Sequence, residues 1–289
     1  MIPPGAHGGD GARLAAALGV DPGAILALSA SLNPVAPDVG EVVAKHLDAV
    51  GRYPDRAEAT AALAAAMAVD PDRLLLTNGV AEAIALVAAE LGGQVDEPDF
   101  GLYPRGSGPR WRSDPHNPTG RLAGEDERAG VWDEAFYPLA TGRWTRGDAH
   151  AVVVGSLTKL LACPGLRIGY VLAPDVGRFR GCQPEWSVNG LAAAALPDLL
   201  ETVDLPGWAQ AVAGLRTDLV GVLRSAELSP QPSDANFVLV RAPGLRARLA
   251  PHRILVRDCA SFGLPDHVRI AVPDDDGLAR LEEALCAAA

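Results

Sequence analysis

The residues with the clearest chemical potential gather around Lys159. The segment Ser156-Leu157-Thr158-Lys159 follows directly on an apolar run, and Arg167 stands eight residues further on. One locus therefore offers an amine nucleophile, two hydroxyl donors and a fixed guanidinium. That combination suits a phosphorylated aldehyde: the amine attacks the carbonyl carbon while hydroxyls and guanidinium take the phosphate.

Pyridoxal phosphate is a molecule of this kind, and its remaining needs can be sought in the chain. Its phosphate wants backbone N–H groups at a helix N-terminus, which Gly79-Val80-Ala81-Glu82 supplies by opening a helix after a strand. Its pyridine nitrogen wants a buried carboxylate. Asp133, in Val131-Trp132-Asp133-Glu134-Ala135-Phe136, ends an apolar strand, where an ionised carboxylate is costly unless it meets a cation. Its ring oxygen wants a donor, and Asn117 in Asn117-Pro118-Thr119-Gly120 is the candidate, against the plainer reading of Asn-Pro as a turn opener.

Taken in order, Asn-Pro-Thr-Gly at 117–120, Asp-Glu-Ala-Phe at 133–136 and Ser-x-Thr-Lys-x-x-x-x-Pro-Gly-Leu-Arg-x-Gly-Tyr at 156–170 resemble the fold-type I pyridoxal-phosphate enzymes, the aspartate aminotransferase superfamily. The resemblance implies Lys159 as the lysine that carries the cofactor, Asp133 on its ring nitrogen and Asn117 on its ring oxygen. It implies Ser156, Thr158, Arg167 and the Val80 and Ala81 amides on the phosphate, and Phe100 stacked on the ring, with Tyr103 the less favoured stacker. Tyr53 is similar to the tyrosine that reaches the phosphate of a neighbouring subunit, so a homodimer is implied.

Finer features resemble one branch. His7-Gly8-Gly9-Asp10, the segment 29–34 ending in Asn33-Pro34, the run 183–189 and Val256-Arg257-Asp258-Cys259 look like the threonine-phosphate decarboxylases of cobalamin biosynthesis, close to the histidinol-phosphate aminotransferases. On that resemblance Arg269 grips a substrate carboxylate, and His7, Asn33 and Arg257 are candidates for a substrate phosphate. The implied partner is a small phosphorylated amino acid.

The elements that must position these residues are legible from periodicity and punctuation. A helix is expected at 11–18 between an Asp10 cap and Gly19, with others at 39–50, 57–69, 80–91, 188–203, 208–223, 245–249 and 275–286. Strands are expected at 73–76, 151–154, 167–172, 235–241, 254–257 and 267–272. This is α/β throughout. The resemblance gives the architecture: a three-layer sandwich with a mostly parallel sheet over 36–180, and a smaller α/β domain from 1–35, the N-terminal arm, together with 181–289.

Composition narrows the function class. The chain has 289 residues, 48% hydrophobic and 21% charged, enough apolar mass for a sizeable core. A net charge of −11 with no Lys/Arg cluster argues against nucleic acid as a partner. Cys163, Cys182, Cys259 and Cys286 lie far apart with no metal-ligand spacing, so neither zinc nor a disulfide framework is expected. No leader-like start and no membrane-length apolar run is apparent, so a cytoplasmic small-molecule enzyme is the expectation.

Two departures stand out. Between Tyr103 and Asn117, and again between Gly120 and Asp133, the chain is too short for the strand and helices that the family carries there, since a crossover helix alone takes about ten residues. Either the sheet is one strand short or 109–115 is an irregular substitute. Phe136 stands where many aminotransferases have a tyrosine, which mildly favours the decarboxylase branch.

Overall fold

The computed structural model describes residues 8–287, so His7 lies outside the described residues. The strands, in chain order, are β1 Leu26–Leu28, β2 Leu74–Thr77, β3 Trp111–Ser113, β4 Val131–Asp133, β5 Val152–Ser156, β6 Gly169–Leu172, β7 Phe237–Arg241, β8 Ile254–Asp258 and β9 His267–Ala271. The helices are α1 Gly11–Leu18, α2 Gly40–Ala44, α3 Ala57–Met67, α4 Gly79–Leu91, α5 Tyr137–Thr141, α6 Leu157–Leu160, α7 Gly177–Arg180, α8 Gly190–Glu201, α9 Leu205–Ser225, α10 Leu245–Leu249 and α11 Asp275–Ala287.

The larger sheet has the order β2-β6-β5-β4-β3. Strands β2 to β5 run one way and β6 runs against them, the mostly parallel sheet that was expected. Alternation along β5 sends Val152 and Val154 into a core with α4 and α7, and Val153 into one with α3 and α8, giving helix, sheet and helix layers. α3 and α8 expose alanines to each other (Ala59 and Ala64, Ala192 and Ala195), so their backbones approach closely. The smaller sheet, β1-β8-β9-β7, is backed by α9, α10 and α11.

Local signals explain most element ends. α1 starts after Asp10 and closes on Gly19 at φ 65, a left-handed position that glycine adopts without steric cost. Asn189 caps α8 through Leu191 N and Ala192 N, and Asp204 caps α9 through Gly207 N.

Three expectations are revised. The helix expected over 39–50 breaks into α2 and a 3₁₀ turn at Leu47–Gly51, both of them packed against α8. The first core runs past the boundary expected near residue 180: it takes in α8 and the start of α9 (Leu205, Trp208), while Leu219 and Leu223 at the other end of α9 join the second core. A single long helix thus ties the two cores together. Finally, 109–115 is not irregular, since Trp111–Ser113 forms edge strand β3.

The shortened segments are closed by backbone approach instead of helices. The stretch 104–110 folds onto 92–94: Gly93 N donates to Ser107 O at 2.8 Å and Gly106 N to Gly93 O at 2.8 Å. A Cβ on Gly93 would lie 2.1 Å from Trp111 Nε1, so only glycine fits there. Past β3 the sheet ends in the single bridge Gln94 to Arg110. The β3–β4 connection, 114–130, contains turns and no helix.

Candidate functional site

Four parallel strands end on a polar residue at the same sheet edge: Thr77, Ser113, Asp133 and Ser156. Carboxyl ends of parallel strands are where an α/β sheet opens a crevice. The cavity here measures about 400 Å³, and small-molecule sites span a few hundred Å³ upward. Lys159, Asp133, Asn117, Phe100, Val80, Ala81, Ser156, Thr158, Arg167, Arg257 and Arg269 all line it.

At one end α4 presents its N-terminus. Gly79 sits at φ 73, and a Cβ there would lie 2.5 Å from the Arg167 guanidinium, so the glycine is what lets the arginine close over the helix start. Val80 and Ala81, with Ser156 and Thr158 opposite, complete an anion cradle. In the middle, Lys159 Nζ donates to Ala30 O at 2.9 Å. Burial first, then Arg269 and Arg167, bring its amine down to about 8, so a neutral nucleophile is accessible near neutral pH.

Asp133 is 6% exposed. Its Oδ2 accepts from the Tyr103 hydroxyl at 2.6 Å and its Oδ1 from Ala135 N at 2.9 Å. Burial pushes its carboxyl up, while Tyr103, the Ala135 amide and Lys159 oppose that shift. Asp99, also buried, is raised to about 7 by burial; it accepts from Phe100 N and from the Ser113 hydroxyl, whose own oxygen accepts from Asn117 N at 2.8 Å.

At the other end two arginines face the cavity from directly paired positions on β8 and β9, Arg257 opposite Arg269. Like charges so placed repel, and both are buried. Arg269 lies 4.4 Å from the Phe237 ring centre and 5.7 Å from that of Phe136, donates to Asn117 Oδ1, and keeps a buried Nε without a partner. Burial lowers it to about 10. An arginine held dry with an idle donor is built for an anion.

The profile of the family "Aminotransferase class I and II" matches residues 113–285. The chain belongs to the aminotransferase class I and II family. A threonine-phosphate decarboxylase of Salmonella typhimurium is 29% identical over 337 aligned positions, covering 92% of each chain. That alignment is longer than the 289-residue chain, so the relative carries segments absent here. A histidinol-phosphate aminotransferase of Symbiobacterium thermophilum is 33% identical over 60% of this chain and 55% of its own. Among solved structures, the histidinol-phosphate aminotransferase from Sinorhizobium meliloti in complex with pyridoxal-5'-phosphate superposes with a TM-score of 0.79 at 17% identity, over 100% of this chain and 96% of that one. The fold is aspartate aminotransferase-like, with both sheets mixed.

Within this aminotransferase-family site, one expected residue is elsewhere. Asn33 is turned away from the cavity: its Nδ2 donates to Leu160 O, its Oδ1 accepts from Val35 N, and its own N–H donates to Lys159 O. The amide nitrogen braces the Lys159 turn and the amide oxygen closes Asn33's own turn, so the side chain is not placed for a substrate phosphate. Tyr53, expected at a neighbouring subunit's cofactor, is 78% exposed, lies 4.6 Å from Trp186 between ring centres, and does not line its own chain's cavity. Tyr103 is no stacker, since its hydroxyl is committed to Asp133 and Phe100 stands edge-on to it at 5.6 Å.

Sequence reasoning missed Asp99, Ser113, Phe237 and Phe262. The Phe100-x-x-Tyr103 spacing was a usable signal that one ring faces the cavity and the other goes beneath it. Nothing local marks Phe237 as Arg269's neighbour, because that contact is made across strands.

Proposed function

We propose that this chain is a pyridoxal-phosphate-dependent carboxy-lyase that takes L-threonine O-3-phosphate to aminopropanol phosphate. The family and the donor set support pyridoxal phosphate as the cofactor: the cradle at Gly79-Val80-Ala81 with Ser156, Thr158 and Arg167 for its phosphate, Asp133 for its ring nitrogen, Asn117 for its ring oxygen, Phe100 for its face and Lys159 for its aldehyde. When bound, the cofactor supplies an electron sink for a bond broken at the substrate's α-carbon.

The residues of the chain do the rest. Lys159, low in pKa, alternates between free amine and proton carrier at the α-carbon. Asp133, held in place by donors from Tyr103 and the Ala135 amide, would face the ring nitrogen, whose positive charge would favour the ionised carboxyl against the upward push of burial. Arg269 grips the substrate carboxylate and Arg257 its phosphate, so a short doubly anionic substrate is held at both ends and its orientation is fixed. The carboxylate bond is then the one set to break.

The observation that carries this reading is the cross-strand pair Arg257 and Arg269 on the cavity wall, whose mutual repulsion two anionic groups would relieve. The Salmonella relative, matched over 92% of its length, is the second support. The alternative is a histidinol-phosphate-type aminotransferase, which the Symbiobacterium relative favours. A third reading, a pyridoxal-phosphate protein without turnover, would follow if the shortened segments had cost the chain its activity.

A homodimer belongs to the proposal. Tyr53 and Trp186 are exposed and in ring contact, and Leu47 and Val50, also exposed, lie on the 3₁₀ turn just before Tyr53; a second copy that covered them would bring Tyr53 to its cofactor phosphate. A cytoplasmic site of action is part of the proposal; no helix among the described residues is long and apolar enough to cross a membrane.

Incubation with O-phosphothreonine alone tests the reaction. Carbon dioxide release without a keto-acid acceptor is expected. Glutamate formation from histidinol phosphate and 2-oxoglutarate, with no carbon dioxide, would transfer the assignment to the aminotransferase; inertness in both assays would favour the non-catalytic reading.

A further inference from the structure

The loop 97–105 carries Phe100, which lines the cavity, Tyr103, which donates to Asp133, and Asp99, which holds Ser113. It contains no helix or strand. Its shape is set largely by one side chain. Arg105 Nη1 donates to Tyr103 O at 2.7 Å and also reaches Phe100 O (3.3 Å) and Gly101 O (3.5 Å); Nη2 donates to Asp99 O and Phe100 O, both at 3.3 Å; Nε donates to Glu97 Oε1 at 2.7 Å. Four consecutive-turn carbonyls and a carboxylate are thus gathered on one planar fork, which an arginine offers and a lysine does not. The Glu97 carboxyl lies below the usual range because of this hydrogen bond, so the guanidinium's charge is met at the loop's own base.

Arg105 itself faces outward, in a shallow groove between Gly101 and Ser261, and is absent from the cavity lining. The stretch after it, 104–110, contains no helix and folds on the 92–94 backbone. We propose that Arg105 is a positioning residue for the cofactor: by closing the loop 97–105 on itself it holds Phe100 at the cavity wall and Tyr103 under Asp133, in a chain too short to support that loop with regular structure. The proposal rests on the functional reading above, in which Phe100 meets the ring face and Asp133 its nitrogen.

The test uses the full-length chain as parent, Arg105→Ala, Arg105→Lys and Glu97→Gln. Each is loaded with pyridoxal phosphate, and three quantities are read: the rate at which cofactor is released, the visible circular dichroism of the bound cofactor, and the melting temperature of the cofactor-free protein. Arg105→Ala and Arg105→Lys should both release cofactor about tenfold faster, the scale of one charge-assisted hydrogen bond, with a weakened dichroic band and a cofactor-free melting temperature close to the parent's. Glu97→Gln, which leaves the carbonyl contacts in place, should change release by about threefold or less. Parental release and dichroism in Arg105→Ala would overturn the proposal. So would full recovery in Arg105→Lys, which would make charge alone responsible, or losses that merely track a lowered melting temperature. A parent that fails to take cofactor on Lys159 defeats the functional reading itself, before any variant is compared.

Discussion

The two walls of the cavity are built on different principles. The wall bearing Lys159, Ser156, Thr158 and Arg167 hangs on paired backbone: β5 and β6 in register, Ser156 opposite Gly169, with α4 starting where β2 ends. The wall bearing Phe100, Asn117 and the support of Asp133 has only the three-residue strands β3 and β4, and is held by side chains: Arg105 on the loop carbonyls, Tyr103 on Asp133, Ser113 on Asn117. Regular structure is sparse at the second wall and dense at the first. Nucleophile and phosphate cradle, which need fixed backbone donors, stay on the sheet, and the face and edge contacts to a ring tolerate a side-chain scaffold.

The largest effect should fall on the first wall. Lys159→Ala should abolish covalent attachment, so that borohydride fixes no cofactor to the protein and peptide mapping finds none at that position. In the parent, the rate of attachment to cofactor-free protein should rise about tenfold per pH unit and level off above about 8, since the amine must be neutral to attack and its pKa sits there. A rate still climbing at pH 10 would mean that burial does not depress this lysine.

Asp133→Ala should leave attachment intact and lower turnover by two orders of magnitude or more, on the order of what a positioned proton-handling group contributes. Single-turnover kinetics beside cofactor titration separates the two. Near-parental turnover would show that the side-chain wall does not govern the ring nitrogen.

A direct contrast comes from one substitution per wall. Gly79→Ala forces a side chain into the left-handed region and against Arg167, with about 1–3 kcal/mol of strain at the cradle, and should weaken cofactor affinity tenfold or more. Ser113→Ala removes only the acceptor of Asn117 N and a donor to Asp99 and should cost about 1 kcal/mol. Isothermal titration measures both. Equal losses would erase the distinction between the walls.

The smallest effect is expected at the outer patch. Tyr53→Phe should weaken cofactor retention by about 1 kcal/mol, one hydrogen bond's worth, while sedimentation still finds a dimer. A monomeric parent, or retention unaltered by the change, would detach Tyr53 from any cofactor.

Much of this was written locally. Asp10 and Gly19 marked α1, Gly79 after a strand marked the start of α4, a continuous apolar run marked β5, and the ordered motifs from Asn117 to Tyr170 named the cradle, the amine and the carboxylate, because those groups act where a strand ends and a helix begins. A strand–turn–helix junction is a property of adjacent residues. The clamp on 97–105 was invisible for the opposite reason: Arg105, between Pro104 and Gly106, reads as an ordinary loop arginine until the fold shows which carbonyls converge on it.

Asn33 shows the limit most sharply. Its Asn-Pro setting suited a ligand as well as a turn, and only its distance in sequence from Leu160, bridged by the fold, decided for the turn. The same holds for the Arg257–Arg269 pair. Sequence determined that two arginines lie on neighbouring strands, but register determined that they sit opposite each other with one face toward the cavity. A shift of one residue would have sent either side chain to the other face of the sheet, and that choice is made by the packing of whole sheets against helices, not by any residue in the strands themselves.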